Sequence, residues 1–195
     1  MIEWIPRIIY NYLLELKEPL TILHVGGRKW SFVESDLVDY RHYTSVNSTD
    51  YNRMIHCADM FCGTNQISVT LSRAALCGIP VVLFQNDKYI DFRKLNTVVS
   101  RMPEWYQHMA METKKVLPFR VFPWGWYRFL EPVMRDNGYC DLFDEVPIFQ
   151  PKKCIDILHR NLFDDGYREK IKLKRDEYIK LLKSLTSPSK IWELI

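Results

Sequence analysis

The segment between residues 59 and 85 constrains the fold more than any other part of the chain. It opens with a short apolar run, DMFCGT (59–64), continues with a helical pattern, QISVTLSRAALC (66–77), and ends in IPVVLFQ (79–85). The last run is apolar at almost every position, as in strands that are buried on both faces of a parallel sheet. Gly78, directly after the helical pattern, is typical of a helix C-terminus. The segment therefore predicts a strand–helix–strand unit with parallel strands.

The flanking sequence extends this pattern in both directions. Residues 2–17 place apolar side chains at helical spacing, and LTILHV (20–25) is a short apolar run closed by two glycines. We expect an α/β fold: a Rossmann-like open parallel sheet flanked by helices, in a single domain over 1–195 with a divergent region at 87–142. The further elements that we expect are strands at 42–46, 119–124 and 146–149, helices at 49–57 and around 100–115, and two closing C-terminal helices at 151–163 and 167–185.

Composition places the chain among globular proteins and excludes several classes. Apolar residues make up 47% and charged residues 26%, and the net charge of +3 is too small to indicate nucleic-acid binding. Because no apolar run reaches about 18 residues, we expect no transmembrane segment. The five cysteines include no CxxC pair, so we expect no zinc site and a reducing, cytoplasmic location. Cys57, Cys62 and Cys77 lie in apolar segments, which predicts that they are buried.

A set of motifs in residues 49–84 points to a family. They are Ala58-Asp59 before a strand, the turn Gly63-Thr64-Asn65, Ser68 and Thr70 at a helix start, and Gly78-Ile79-Pro80 before an apolar strand. Together they resemble the nucleotide-sugar-binding half of GT-B glycosyltransferases and the related UDP-sugar 2-epimerases. LHVGGR (23–28) is similar to that family's first strand and glycine turn. VPIF (146–149) and LFDDGYREKI (162–171) resemble its closing segments.

The resemblance implies a GT-B C-terminal-type domain that binds a nucleotide-diphosphate sugar as donor and needs no other cofactor. The acceptor site would come from an N-terminal-type partner domain or chain. Many family members have a glutamate, which binds the ribose hydroxyls, five residues before the glycine of Gly-x-Pro, whereas this chain has Arg73 there. A guanidinium cannot accept those hydrogen bonds, so Arg73 would meet a phosphate or a different ligand. The alternative function is a non-catalytic interaction or regulatory subunit that keeps the fold.

Helix electrostatics makes the turn at 62–68 a candidate anion-binding site, independently of the family resemblance. A helix that follows a parallel strand presents unpaired amide groups at its positive amino end, where an anion binds readily. Phosphate binding and plain capping of the helix by Asn65 or Ser68 are both compatible with the sequence. The binding residues that we predict are Gly27, Arg28, Thr64, Asn65, Ser68, Thr70, Arg73 and Asp87, with no metal ligand and no assigned catalytic residue.

Several of these positions have a structural explanation as well. Gly27 and Arg28 would contact the diphosphate or form a tight turn with a surface arginine. Asp87 would touch the sugar or shape the loop after its strand. His24 is expected to be a core histidine on the same strand face as Ile22. The aromatic stretch 118–132 is expected to pack or to contact a partner rather than to stack on a base. The helix at 168–183 is expected to present a solvated basic face.

Overall fold

A computed structural model of the chain describes residues 3–119, 132 and 134–186. The described α-helices are α1 (Trp4–Leu14), α2 (Ser48–His56), α3 (Val69–Leu76), α4 (Asn96–Val99), α5 (Glu104–Thr113), α6 (Pro151–Phe163) and α7 (Asp165–Ser184). The described strands are β1 (Leu20–Val25), β2 (Val38–Tyr43), β3 (Phe61–Gly63), β4 (Val81–Gln85), β5 (Ile90–Asp91), β6 (Lys115–Val116) and β7 (Asp144–Pro147). Short 3-10 turns occupy Phe92–Lys94 and Gly138–Leu142.

The larger strands pair in parallel, as expected for an α/β fold. β1 pairs with β2, and β3, β4 and β7 form a second parallel group with β4 in the centre. The short strands β5 and β6 pair in antiparallel fashion. Parallel strands flanked by helices are compatible with a Rossmann-like fold. The hydrogen bonds divide the described parallel strands into two groups rather than one continuous ladder.

β4 supplies side chains to two separate apolar clusters, one on each of its faces. Val82 and Phe84 pack into the larger cluster, which α1, α5 and α6 also help to build. Val81 and Leu83 pack into the smaller cluster with residues of α3 and the 138–142 turn. All five residues of β4 are buried, which explains why the four residues before Gln85 form a continuous apolar run.

The strand expected at 42–46 is wrong in position, because β2 spans Val38–Tyr43. The sequence there alternates instead of forming an apolar run: Val38 is buried, while Asp39 and Arg41 are exposed and form an ion pair at 2.6 Å. Such alternation is typical of a strand with one solvent-exposed face. Because of its charged residues, the segment does not form the apolar run by which the other strands were predicted. The parallel register with β1, from Leu20 opposite Val38 onward, fixes the strand in place.

The other expected elements are present with shifted ends. The helix expected at 66–77 begins only at Val69, because Asn65 Oδ1 accepts a hydrogen bond from the amide of Ile67 and holds the preceding residues in a turn. The strand expected at 146–149 is β7, and the helix around 100–115 is α5. The two closing helices are confirmed as α6 and α7. Of the strand expected at 119–124, Phe119 forms an isolated bridge with Asn86, and the remainder lies outside the described residues.

Among the described residues, no helix combines the length and the hydropathy that crossing a membrane requires. The expected solvated basic face is found on α7, where most lysines are exposed. The aromatic residues at 120–131 lie outside the part of the chain that the structure describes.

Asp144, at the start of β7, joins the two closing helices to the sheet. Its Oδ2 accepts hydrogen bonds from Asn161 Nδ2 (2.7 Å) and Tyr167 Oη (2.7 Å), and its Oδ1 accepts one from Arg160 Nη2 (3.0 Å). Burial and the hydrogen bond to Asp144 raise the pKa of Tyr167 to about 12. Asn161 is only 1% exposed, so loss of the carboxylate would leave a buried amide donor without its partner.

Gly78 ends α3 in a Schellman motif. Its amide donates to the Ala75 carbonyl and the amide of Ile79 donates to the Ala74 carbonyl, both at 3.1 Å. Its φ is +82°, and a Cβ at this position would lie 2.0 Å from Nη1 of Arg175 on α7. The backbone therefore requires the glycine of the Gly-x-Pro motif, and a larger residue would also displace the Arg175 guanidinium.

We predict that Gly78→Ala lowers the free energy of unfolding by about 1–3 kcal/mol, because an L side chain is strained at this φ. Gly27→Ala is the matched control, since no atom of the described residues lies within 4 Å of a Cβ there. Urea denaturation of the two variants measures the difference. Equal stability of the two variants would contradict the assigned role of Gly78.

We predict that Asp144→Asn lowers the free energy of unfolding by about 2–3 kcal/mol, since an amide cannot replace the charge-assisted acceptor of three donors. Asp39→Asn removes a carboxylate from an exposed ion pair, which solvent screens, and should have a much smaller effect. Thermal and urea denaturation of both variants provide the test. A loss at Asp144 no greater than that at Asp39 would rule out its anchoring role.

Candidate functional site

The predicted binding residues lie in three places in the structure. Residues 64–70 form the turn before α3 and its first residues, and Arg73 lies in the last turn of the same helix. Gly27 and Arg28 lie in the loop after β1, and Asp87 lies in the loop after β4. Each of these loops follows the carboxyl end of a parallel strand, which is where ligands bind in open α/β sheets.

The amino end of α3 is open to solvent. Ser68, the N-cap residue, has extended backbone angles (φ −63°, ψ 129°) and its side chain makes no capping hydrogen bond within the described chain. No described residue accepts a hydrogen bond from the amides of Val69, Thr70 or Leu71. The Val69 side chain is 74% exposed. Ser68 therefore does not cap this end of the helix through its side chain. Val69 is exposed and Leu71 is buried, so the amides of Val69 and Thr70 are the donors that an anion could use at the positive end of the helix dipole.

Thr70 and Arg73 connect α3 to α2. Tyr51 Oη donates a hydrogen bond to Thr70 Oγ1 (3.2 Å), which leaves the hydroxyl proton of Thr70 free to donate elsewhere. Arg73 Nη1 donates to Asn52 Oδ1 (2.6 Å). The remaining guanidinium N–H groups stay exposed at the surface, so this arginine retains donors that an anion can use.

A polar network under the turn fixes its shape. The buried Gln66 donates through Nε2 to Glu145 Oε1 (3.0 Å). The Tyr139 hydroxyl lies 2.7 Å from Ser72 Oγ and contacts the Gln66 carbonyl. Sequence reasoning missed Gln66, Tyr51 and Tyr139. Gln66 could have been found from its position inside the turn motif. Tyr51 and Tyr139 could not, because they come from distant segments of the chain.

Asp87 lies at the surface, next to a loop that its neighbour organises. Asn86 is buried and donates through Nδ2 to the carbonyls of Lys88 (2.7 Å) and Leu117 (3.1 Å). Asp87 itself makes no ion pair or hydrogen bond to any described residue and is exposed. The turn is thus formed by Asn86, and the Asp87 carboxylate remains available for a ligand.

Arg28 lines a cavity of about 550 Å³ between the start of α1 and the loop after β1, whereas its neighbour Gly27 does not. Arg28 Nη1 donates to Glu3 Oε1 at 2.9 Å, and these two side chains are 83% and 80% exposed. The cavity lining includes Arg28 but neither the residues at 64–73 nor Asp87. That Gly27 and Arg28 act together with the α3 end therefore remains a prediction.

His24 belongs to an aromatic cluster beside this cavity. The Tyr40 hydroxyl accepts a hydrogen bond from the Trp30 amide (2.9 Å) and lies 2.7 Å from His24 Nδ1, to which it can donate its proton. His42 Nε2 donates to the Gly26 carbonyl at 2.6 Å. The pKa of His24 is lowered, mainly by burial and to a smaller extent by the neighbouring His42. A Cβ at Gly26 would lie 2.9 Å from His24 Nε2, so this glycine makes room for the imidazole.

The cysteines do not form a reactive centre in the described structure. Burial raises the pKa of the Cys62 and Cys154 thiols to about 12, which keeps both protonated. The prediction of a buried Cys57 is wrong, because Cys57 follows the last turn of α2 and is exposed. In the described ranges, no group of three or more histidine, cysteine or acidic side chains is arranged to hold a metal ion.

The parallel strands, the flanking helices and the loops at the carboxyl strand ends define an α/β protein with a candidate ligand-binding edge. Over its entire length, residues 1–195, the chain matches the model of a family of unknown function, DUF6365, and it belongs to that family. No curated protein and no solved structure matches it significantly. Its function has to follow from the geometry of the described residues.

We predict that the stability of the native protein falls as the pH drops below 6.5, the ordinary pKa of a histidine, partly because of His24. Its pKa is lowered in the folded state, so the unfolded chain binds the proton more readily and acid favours unfolding. His24→Gln should make the fall between neutral pH and pH ~5 shallower in urea denaturation. His159→Gln, at an exposed position on α6, leaves His24 in place and should keep the native profile. An unchanged slope in His24→Gln would contradict the assignment.

Proposed function

We propose that this chain binds a nucleotide-diphosphate sugar at the amino end of α3 and acts as the donor-binding domain of a GT-B-type glycosyltransferase. The observation that carries the proposal is the start of α3 after the parallel strand β3, where Ser68 supplies no side-chain cap and Val69 is exposed. Amide donors and the helix dipole at such a position bind diphosphates in unrelated α/β proteins. The motifs at 58–82 that resemble the GT-B family occupy this same place.

The side chains around the turn fit an anionic ligand. The free proton of the Thr70 hydroxyl adds a donor to the amides of Val69 and Thr70. Arg73, in the last turn of α3, has exposed N–H groups that we assign to the same anion. Arg73 stands where many GT-B glycosyltransferases have the ribose-binding glutamate, so we assign Arg73 to a phosphate rather than to the ribose. Asp87, exposed after β4, is the residue that we assign to the sugar hydroxyls.

In the proposed reaction the chain stabilises the leaving diphosphate. Negative charge develops on the diphosphate as the bond to the sugar breaks, and fixed amide dipoles stabilise that charge without reorganising. The acceptor and a general base would come from the N-terminal-type partner domain or chain. All five cysteines are free thiols, in keeping with the reducing, cytoplasmic compartment that we propose.

A thermal-shift panel with UDP, GDP, TDP and their sugars tests the proposal directly. A ligand at 100 times its Kd should stabilise the protein by about 2.7 kcal/mol. If the correctly folded protein shows no shift with any of these ligands, the proposal fails and the non-catalytic interaction subunit becomes the better explanation.

We predict that Val69→Pro weakens binding of the stabilising nucleotide about tenfold while leaving the fold intact. Proline at the first helical position removes one amide donor at no cost to the helix, and Ser68 already has the extended conformation that a following proline requires. Val69→Ala shortens the same side chain but keeps the amide, so it is the matched control. Isothermal titration compares the three proteins. Native-like affinity in Val69→Pro would exclude the α3 amides as the diphosphate site.

A further inference from the structure

The cavity beside α1 has the composition of a small-molecule site that is separate from the α3 turn. Its volume of about 550 Å³ is within the range of ligand pockets, roughly 300–1,000 Å³. Its wall combines aromatic rings with basic side chains. We propose that it binds a planar aromatic anion, a flat conjugated ring that carries a carboxylate or a phosphate.

Arg7 supplies the anion-binding group. Its guanidinium carbon lies 5.4 Å from the Trp4 ring centre and 5.2 Å from the Phe32 ring centre. Ring contacts of this kind use the flat face of the guanidinium and leave its five N–H donors at the edge. No carboxylate of the described residues pairs with Arg7. A half-buried arginine with an unoccupied donor edge suits the two oxygens of a carboxylate or a phosphate.

The acidic residues of the cavity are already engaged. Glu3 pairs with Arg28. Glu112 accepts a hydrogen bond from Trp4 Nε1 (3.2 Å) through one oxygen and lies 3.2 Å from His108 through the other. Within the described chain, Lys29 joins Arg7 as a lining cation without an ion pair. The balance of charges in the cavity wall therefore favours an anionic ligand over a cationic or a neutral one.

The aromatic side chains are held in place before any ligand arrives. The bond to Glu112 and an edge contact with the His108 ring fix Trp4. Trp30 stacks on Phe32 with ring centres 5.5 Å apart and an angle of 19° between the planes. Rigid rings lose little entropy on binding, and a flat apolar ligand body matches such walls.

The experiment uses four ligands in which the aromatic ring and the negative charge are varied independently. Naphthoate and naphthyl phosphate carry both features, naphthamide has the ring without the charge, and cyclohexanecarboxylate has the charge without an aromatic ring. We expect naphthoate or naphthyl phosphate to bind in isothermal titration at least about tenfold more tightly than the other two. The tighter of the two anions identifies the acidic group. Because the proposed α3 site also takes anions, the Arg7 variants described next identify which of the two sites holds the ligand.

Arg7→Met keeps the apolar stem and the helix propensity but removes the charge, and should weaken anion binding about 10- to 100-fold. Arg7→Lys keeps the charge and loses the fork, so an intermediate loss is expected and the comparison does not depend on one variant. Arg41→Met removes an exposed arginine of β2 that does not line the cavity and should bind as the native chain does. Absence of binding by both anions, equal binding of naphthamide, or native affinity in the folded Arg7 variants would overturn the proposal.

Discussion

The burial of β4 on both faces is the constraint on which the rest of the structure depends. Alternate side chains of this strand enter the two apolar clusters, so each cluster is completed only when helices cover both sides of the sheet. Parallel neighbours on both edges satisfy its backbone groups, which have no access to water. The loops after β3 and β4 thereby come to one edge of the sheet, and the candidate donor site lies there.

The sequence predicted those parts of the fold whose signal is local. β1, β4, α6 and α7 each have a continuous apolar run or a helical stripe, and the structure confirms all four. β2 was predicted at the wrong position, because its charged residues alternate with buried ones. Its position follows only from its pairing with β1. The start of α3 was placed three residues too early, since an Asn65 side-chain turn competes there with helix formation.

The candidate sites divide in the same way. A helix start after a strand was predictable from the turn residues. Thr70 lies in its first turn and Arg73 in its last, and their role in binding stays a prediction. The aromatic cavity was not, because Arg7, Trp30 and Glu112 come from three separate segments that only the folded chain brings together. His24 was expected in the core, whereas it bonds to Tyr40 at the border of that cavity. Such long-range neighbours leave no periodic trace in a single sequence.

The contact between Arg175 and Gly78 links the last long helix to the far end of α3. α3 has only eight residues, about 12 Å of helix. The first turn of α3 is therefore only about two helical turns from the end that packs against α7. Under the proposed function, a change in the packing of α7 on the end of α3 would act on ligand binding at the opposite end of that helix.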